Sequence, residues 1–142
     1  MKQKEIQGIY RVLDVNFNRL REALRVIEEF VRFIRTDAHY SSEIKTLRHS
    51  LRELEEGVDS RHLIANRDTS TDPFSRSNSA REQDRKGADE VLAANFKRAQ
   101  EASRVIEEYI KLTDTAHLSA TAKTLRFSLY SLEKKFRENY IG

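Results

Sequence analysis

The chain contains no cysteine and no tryptophan, and only one proline and four glycines among its 142 residues. Without cysteine there is neither a disulfide framework nor a thiolate metal site. Turns and strands draw heavily on Gly and Pro, so their scarcity favours long helices over a sheet. No run of about 18 apolar residues occurs, which excludes an apolar membrane-spanning helix and any membrane partnership of that kind. The opening MKQKEIQGIY lacks the apolar stretch of a secretory leader, and the expected location is the cytoplasm. An excess of one charge is missing too. The 26 basic and 23 acidic residues leave a net charge of +3, too even a balance for a nucleic-acid binder. Phosphate cradles of the GxxxxGK[ST] or GxGxxG type are absent. His39, His49, His62 and His117 are isolated and form no metal constellation. A phosphate site in this chain has to be built from side chains and helix ends.

What is present is charge, arginine and period. Charged residues make up 35% of the chain, and 17 of the 26 basic residues are arginine. Arginine offers a planar fork to phosphate or carboxylate, and it is also a good helix former. Ile6, Tyr10, Leu13, Phe17, Leu20, Leu24, Ile27, Val31 and Ile34 alternate steps of four and three, an apolar seam on one helix of roughly thirty residues. Ile9, Ala23 and Phe30 form a second stripe that widens the seam. This surplus width makes a homodimer an expectation. Ile44, Leu47, Leu51, Leu54 and Val58 mark a second helix, with Gly57 placed to end it.

The pattern then recurs. NFNRLREALRVIEEF at 16–30 returns as NFKRAQEASRVIEEY at 95–109, with ten of fifteen letters shared. KTLRHSLRELE at 45–55 returns as KTLRFSLYSLE at 123–133, with eight of eleven shared. The first pair is offset by 79 residues and the second by 78, so the turn between them lost one residue in the second copy. A helical hairpin cannot bury wide stripes alone, but two can close on each other. The expected fold is all-α: one domain over 1–142, a duplicated helical hairpin forming a pseudo-twofold four-helix bundle. Repeat one runs over about 5–58 and repeat two over about 88–140. The polar segment 61–87 between them reads as a long loop, with HLIA adding a short helical turn.

Packing does not explain the repeated polar letters. Asn16, Arg19, Glu22, Arg25 and Glu28 follow at intervals of three, and Asn95, Arg98, Glu101, Arg104 and Glu107 repeat them. Each step of three turns about −60° around a helix, so five such residues cannot line one pocket. Arg25 with Glu29, and Arg104 with Glu108, have the spacing of surface ion pairs. Glu28 and Glu107 flank the seam, where an arginine on a neighbouring helix could meet them. Asn16 and Asn95 lie on the widened stripe. They read either as register-setting amides within the bundle or as donor–acceptor pairs for a ligand edge. Arg19 and Arg98 follow one turn along on the same side. In the loop, Arg67, Asp68 and Asp72 read either as a solvated turn or as a place for phosphate and Mg²⁺.

Four blocks together, RVLDVNFNRLREALRVIEEFVRF (11–33), LIANRDTSTDP (63–73), VLAANFKRAQEASRVIEEYIKL (91–112) and KTLRFSLYSLE (123–133), resemble the alternative hydroxymethylpyrimidine phosphate kinases of thiamine biosynthesis. This helical domain often occurs fused ahead of thiamine-phosphate synthase. The resemblance implies a kinase that converts 4-amino-5-hydroxymethyl-2-methylpyrimidine phosphate to its diphosphate with ATP and Mg²⁺. With no barrel domain following Gly142, the expectation is a stand-alone version, without synthase activity but functionally linked to the synthase. Arg11 and Asp14 fit the family pattern. So do the candidates for function. Arg19, Arg98 and Asp68 are read as catalytic. Asn16, Asn95, Arg25, Arg104, Arg67, Lys97 and Arg126 are read as holding the small phosphate substrate. Asp72, Glu22 and Glu101 are read as Mg²⁺ ligands. Two positions depart from the pattern: Ala23 and Phe74 stand where family members commonly have glycine. Rival readings are a non-catalytic helical partner-binding domain derived from the kinase, and another all-helical enzyme of small anionic substrates.

Overall fold

Helix α1 spans Gln3–Glu29 and buries Leu13, Phe17, Leu20, Leu24 and Ile27 completely. The computed structural model describes residues 1–75 and 84–141, and every regular element within them is a helix. The second stripe of α1 is also covered by the chain itself, since Ile9, Ala23 and Phe30 are buried. The breadth that suggested a second copy is therefore used within the chain. The seam does not reach Ile34. From Phe30 to Ile34 the helix rewinds as a π-helix, and Phe33 and Ile34 are turned to solvent at 62% and 58% exposure. A π turn holds one residue more than an α turn, which accommodates the residue that the second copy lacks.

Helix α2, Ala38–Glu56, starts at Asp37, whose carboxylate accepts from the backbone N–H of Tyr40. It ends at Gly57 for a reason other than a left-handed cap. Gly57 has φ −69°, and a Cβ there would stand 2.6 Å from the side chain of Leu118. The glycine makes room for its neighbour. Helix α3, Ser60–Ala65, contains the HLIA turn and buries Leu63. Part of the expected long loop, 76–83, lies outside the described residues. Helix α4 spans Ala88–Ile110 and helix α5 Ser119–Phe136, followed by a second π-helix, Arg137–Ile141.

The most extensive packing is α1 on α4, followed by α4 on α5 and α1 on α2. Arg35, just past the end of α1, donates to Asp89 at the start of α4 over 3.5 Å, so these two helices run antiparallel. Tyr40 at the start of α2 lies edge-on to Phe136 at the end of α5, with ring centroids 4.7 Å apart. The second helices are therefore antiparallel too. Within each hairpin the same polar struts recur. Arg48 donates to Glu28 over 2.5 Å, and Arg126 donates to Glu107 over 3.1 Å. Arg21 donates to Glu55 over 2.5 Å, and Gln100 to Glu133 over 2.9 Å. Glu28 and Glu107 are buried at 1% and 6% exposure, so each needs its arginine.

Candidate functional site

A cavity of about 650 Å³ opens between α1 and α4. Its walls are five pairs of residues related by the 79-residue repeat: Asn16 and Asn95, Arg19 and Arg98, Glu22 and Glu101, Ala23 and Ala102, Val26 and Val105. It therefore sits on the pseudo-twofold axis. On one helix these five positions span an arc of about 120°. Arg25 and Glu28 fall outside that arc. The repeated polar phrase thus divides into a half that faces the cavity and a half that braces the hairpin.

The asparagines are buried and oriented. Nδ2 of Asn16 donates to the carbonyl of Val12 over 2.8 Å, and Nδ2 of Asn95 donates to that of Val91 over 2.8 Å. Each amide is pinned to its own helix one turn back. Its Oδ1 remains an acceptor and its second N–H a donor. Arg19, Arg98, Glu22 and Glu101 are exposed at the cavity. Among the described residues none of the four takes part in an ion pair or side-chain hydrogen bond. The contrast with their neighbours is sharp. Arg25 bridges Glu29 at 3.4 Å, Arg104 bridges Glu108 at 3.3 Å, and Lys97 reaches Glu133 at 3.7 Å. Because α1 and α4 are antiparallel, each presents its Asn–Arg–Glu set from the opposite end of the cavity. The result is two similar poles, each carrying an arginine and a glutamate.

The segment after α3 lies against one pole only. A side lobe of about 370 Å³ shares Asn16 and Arg19 with the main cavity. Gly8, Arg11, Val12 and Val15 of α1 form one of its walls, and Asp68, Thr71, Asp72 and Pro73 the other. Arg67 fastens this segment. Its Nε and Nη2 grip the two carboxylate oxygens of Asp14 at 2.6 Å each, and Asp14 is buried at 3% exposure. The second copy has Ala93 where the first has Asp14, so this fastening occurs once.

Three of the expected site residues are engaged by protein partners in this geometry. The fork of Arg67 is filled by Asp14, so it anchors the loop where a phosphate contact was expected. Arg126 is held by Glu107, which it approaches to 3.0 Å, and it does not line the cavity. Asp68 was expected to be catalytic. Its Oδ1 accepts from the Ser70 N–H and hydroxyl and from the Thr71 N–H, and its Oδ2 from the Thr71 hydroxyl. The hydroxyls of Ser70 and Thr71 lead in lowering its pKa to about 2, which makes it a poor base near neutral pH. Glu22, Glu101 and Asp72 are not gathered into one metal site. No cluster of three or more His, Asp or Glu side chains suited to a metal occurs among the described residues. Among them, the only non-glycine residue with positive φ is Thr36, so Phe74 sits in its turn without the conformation that glycine would supply.

Residues 11–135, which include the paired phrases, match the model of the ThiD2 family. The chain belongs to the ThiD2 family. It is 49% identical over 135 residues to the thiamine-phosphate synthase of Thermosynechococcus vestitus, covering 95% of this chain and 37% of that protein. Identity to the thiamine-phosphate synthase of Nostoc punctiforme is 39%, covering 93% of this chain and 36% of the relative. For that of Rhodopirellula baltica it is 36%, covering 97% and 36%. The ThiD2 chain thus spans little more than a third of the curated relatives it matches. No solved structure matches it.

Several cavity residues escaped the reading of the sequence. Val26, Val105 and Ala102 lie in the repeat but are apolar and carry no role in that reading, and Ala23 reads as part of the packing stripe. Asp14 fitted the family pattern without an assigned role. The signal was its absence from the second copy, since an unrepeated buried carboxylate in a duplicated chain needs an unrepeated partner.

Proposed function

We propose that this ThiD2 chain is a kinase that converts 4-amino-5-hydroxymethyl-2-methylpyrimidine phosphate to its diphosphate with ATP and Mg²⁺. The observation that carries the reading is the cavity on the pseudo-twofold axis. There, two pinned asparagines and two arginines that have no partner among the described residues face the same space. Phosphoryl transfer asks a protein mainly for positioning and charge neutralisation. A phosphate oxygen of the acceptor bonds to the γ-phosphorus as the bond to the β-bridging oxygen breaks, and ADP departs. Arg19 and Arg98, one at each pole, neutralise the donor and acceptor phosphates. The open Oδ1 and N–H of an asparagine match the amino group and adjacent ring nitrogen of the pyrimidine. Mg²⁺ is commonly held by one or two carboxylates together with substrate phosphates. Glu22, Glu101 and Asp72 line the two cavities and would be the carboxylates to hold it, one or two at a time with the phosphates, and the ion would neutralise charge on the nucleotide.

The relatives' name supports the setting. A diphosphate of this pyrimidine is a substrate that a thiamine-phosphate synthase consumes, which fits a likeness confined to a third of those proteins. Steady-state assays with ATP–Mg²⁺ test the proposal. Arg19→Ala and Arg98→Ala should each lower kcat/KM by about 10² or more. Their melting temperatures should stay near that of the unmodified protein. Absence of turnover together with absence of ligand binding by the unmodified chain would favour the non-catalytic module.

A further inference from the structure

The main cavity is symmetric in its lining but not in its surroundings. At the Asn16 end it continues into the side lobe beneath the loop. That lobe adds Arg11, which has no ion pair or side-chain hydrogen bond among the described residues. It also adds the apolar Val12, Val15 and Pro73, the carboxylate of Asp72, and that of Asp68, whose oxygens accept from Ser70 and Thr71. Gly8 leaves the lobe roomy, since nothing lies within 4 Å of a Cβ built there. At the Asn95 end the repeat puts Glu90 where Arg11 stands and Ala94 where Val15 stands. The carboxylate of Glu90 accepts from the backbone N–H of Lys86 over 2.7 Å. The chain at that end is bound up with the final π-helix, for Arg35 touches both Asp89 and the carbonyl of Tyr140.

We infer that the Asn16 end, with its side lobe, takes the nucleoside triphosphate, and that the Asn95 end takes the smaller pyrimidine monophosphate. This rests on the kinase reading and adds a polarity to it. The triphosphate carries the larger negative charge and belongs where Arg11 joins Arg19. At the Asn95 end no second arginine joins Arg98 among the described residues lining the cavity. The base of the nucleotide is flat and largely apolar, and Val12, Val15 and Pro73 offer such walls. Asp72 lies where a cation bridging its phosphates can be met. The monophosphate needs one arginine and one asparagine edge, and Arg98 with Asn95 supplies both.

Two substitutions fill or reverse the lobe without touching the Asn95 end. Gly8→Phe puts a ring into open space on a helix, where replacing glycine does not cost stability. Arg11→Glu copies the second repeat into the first. Binding is measured by calorimetry with a non-hydrolysable ATP analogue and Mg²⁺, and separately with the pyrimidine monophosphate. Thermal melts confirm that each variant is folded. Each variant should weaken the nucleotide analogue by about tenfold or more and leave the monophosphate within about twofold. If the monophosphate alone is weakened, the polarity is reversed. Nucleotide binding that survives both substitutions would overturn the polarity while leaving the kinase reading in place. If the unmodified protein binds neither ligand, the kinase reading fails, and the polarity fails with it.

Discussion

Arginines on equally periodic helices do two different jobs here. Arg48 reaches a buried carboxylate, Glu28, whose side chain is 2% exposed. Arg19, on the first helix, meets no protein partner among the described residues. Removing Arg48 leaves the buried Glu28 with only the distant Arg25, at 4.0 Å, and loss of the close partner of a buried charge costs about 3 kcal/mol. Removing Arg19 deletes a solvated side chain at a cavity, within about 0.5 kcal/mol of neutral. Arg48→Ala should therefore lower the melting temperature markedly, whereas Arg19→Ala should leave it nearly unchanged and lower kcat/KM. Denaturant midpoints and initial rates on the two variants read both effects. Equal loss of stability in the two would mark Arg19 as a strut. The arginine excess was legible in the sequence, but the division of labour was not. Both arginines sit on periodic helices, and only the position of the facing carboxylate separates them.

At the scale of elements, the final π-helix is stitched to the start of α2. The hydroxyl of Tyr140 donates to Asp37 over 2.6 Å, and Asn139 donates to the hydroxyl of Tyr40 over 2.6 Å. The hydrogen bond from Tyr140, ahead of that from the Tyr40 N–H, holds the Asp37 carboxylate below its ordinary pKa of 3.8. Burial, then Asp37, pushes the Tyr140 phenol above its ordinary 10.0. The signs follow. A lowered acid contributes stability above its unfolded pKa and loses it as pH falls through the folded value. A raised phenol contributes below its unfolded pKa and loses it as pH rises through the folded value. The stitch should therefore be intact near pH 7 and weaken in acid. Tyr140→Phe should lower the melting temperature near pH 7, and its gap from the unmodified protein should narrow below about pH 4. A gap that stays constant with pH would deny the Asp37 linkage. Helical period predicted α2 and the long first helix well. It could not see the π turn at Phe30–Ile34, because apolar letters continue through it while the winding changes.

For the whole molecule, the decisive contact is α1 on α4, which joins the two copies and contains the cavity. Leu13, Phe17, Leu20, Leu92, Phe96 and Ala99 are buried on these two helices. A fragment of residues 1–75 keeps its hairpin but exposes the α1 face that α4 covers. Burial is the main favourable term in folding, so this fragment should show no folded monomer. Its helicity should appear only at dimer mass, with two copies replacing the missing α4 contact by α1 on α1. Sedimentation with far-UV circular dichroism over a concentration series reads this. A folded fragment at monomer mass would show that each hairpin is self-sufficient. Across the described residues no helix is long and apolar enough to cross a membrane, consistent with a chain whose apolar faces turn on each other.

The sequence by itself determined the all-helical class, the duplicated hairpin and the identity of the paired residues. These are matters of local period and repetition, which a linear string carries in full. It also carried the family, since the blocks from Arg11 to Glu133 keep their order. Tertiary structure decided which polar residues face one another. Asn16, Arg19 and Glu22 meet Asn95, Arg98 and Glu101 only because α1 and α4 cross antiparallel at their repeated positions. Arg67 went to Asp14 because the loop turns back over α1, a long-range pairing across 53 positions that no local pattern encodes. Arg126 went to Glu107 because a buried carboxylate takes the nearest cation. Helical period places a residue on a face, whereas its charge partner depends on which other face the fold brings to it.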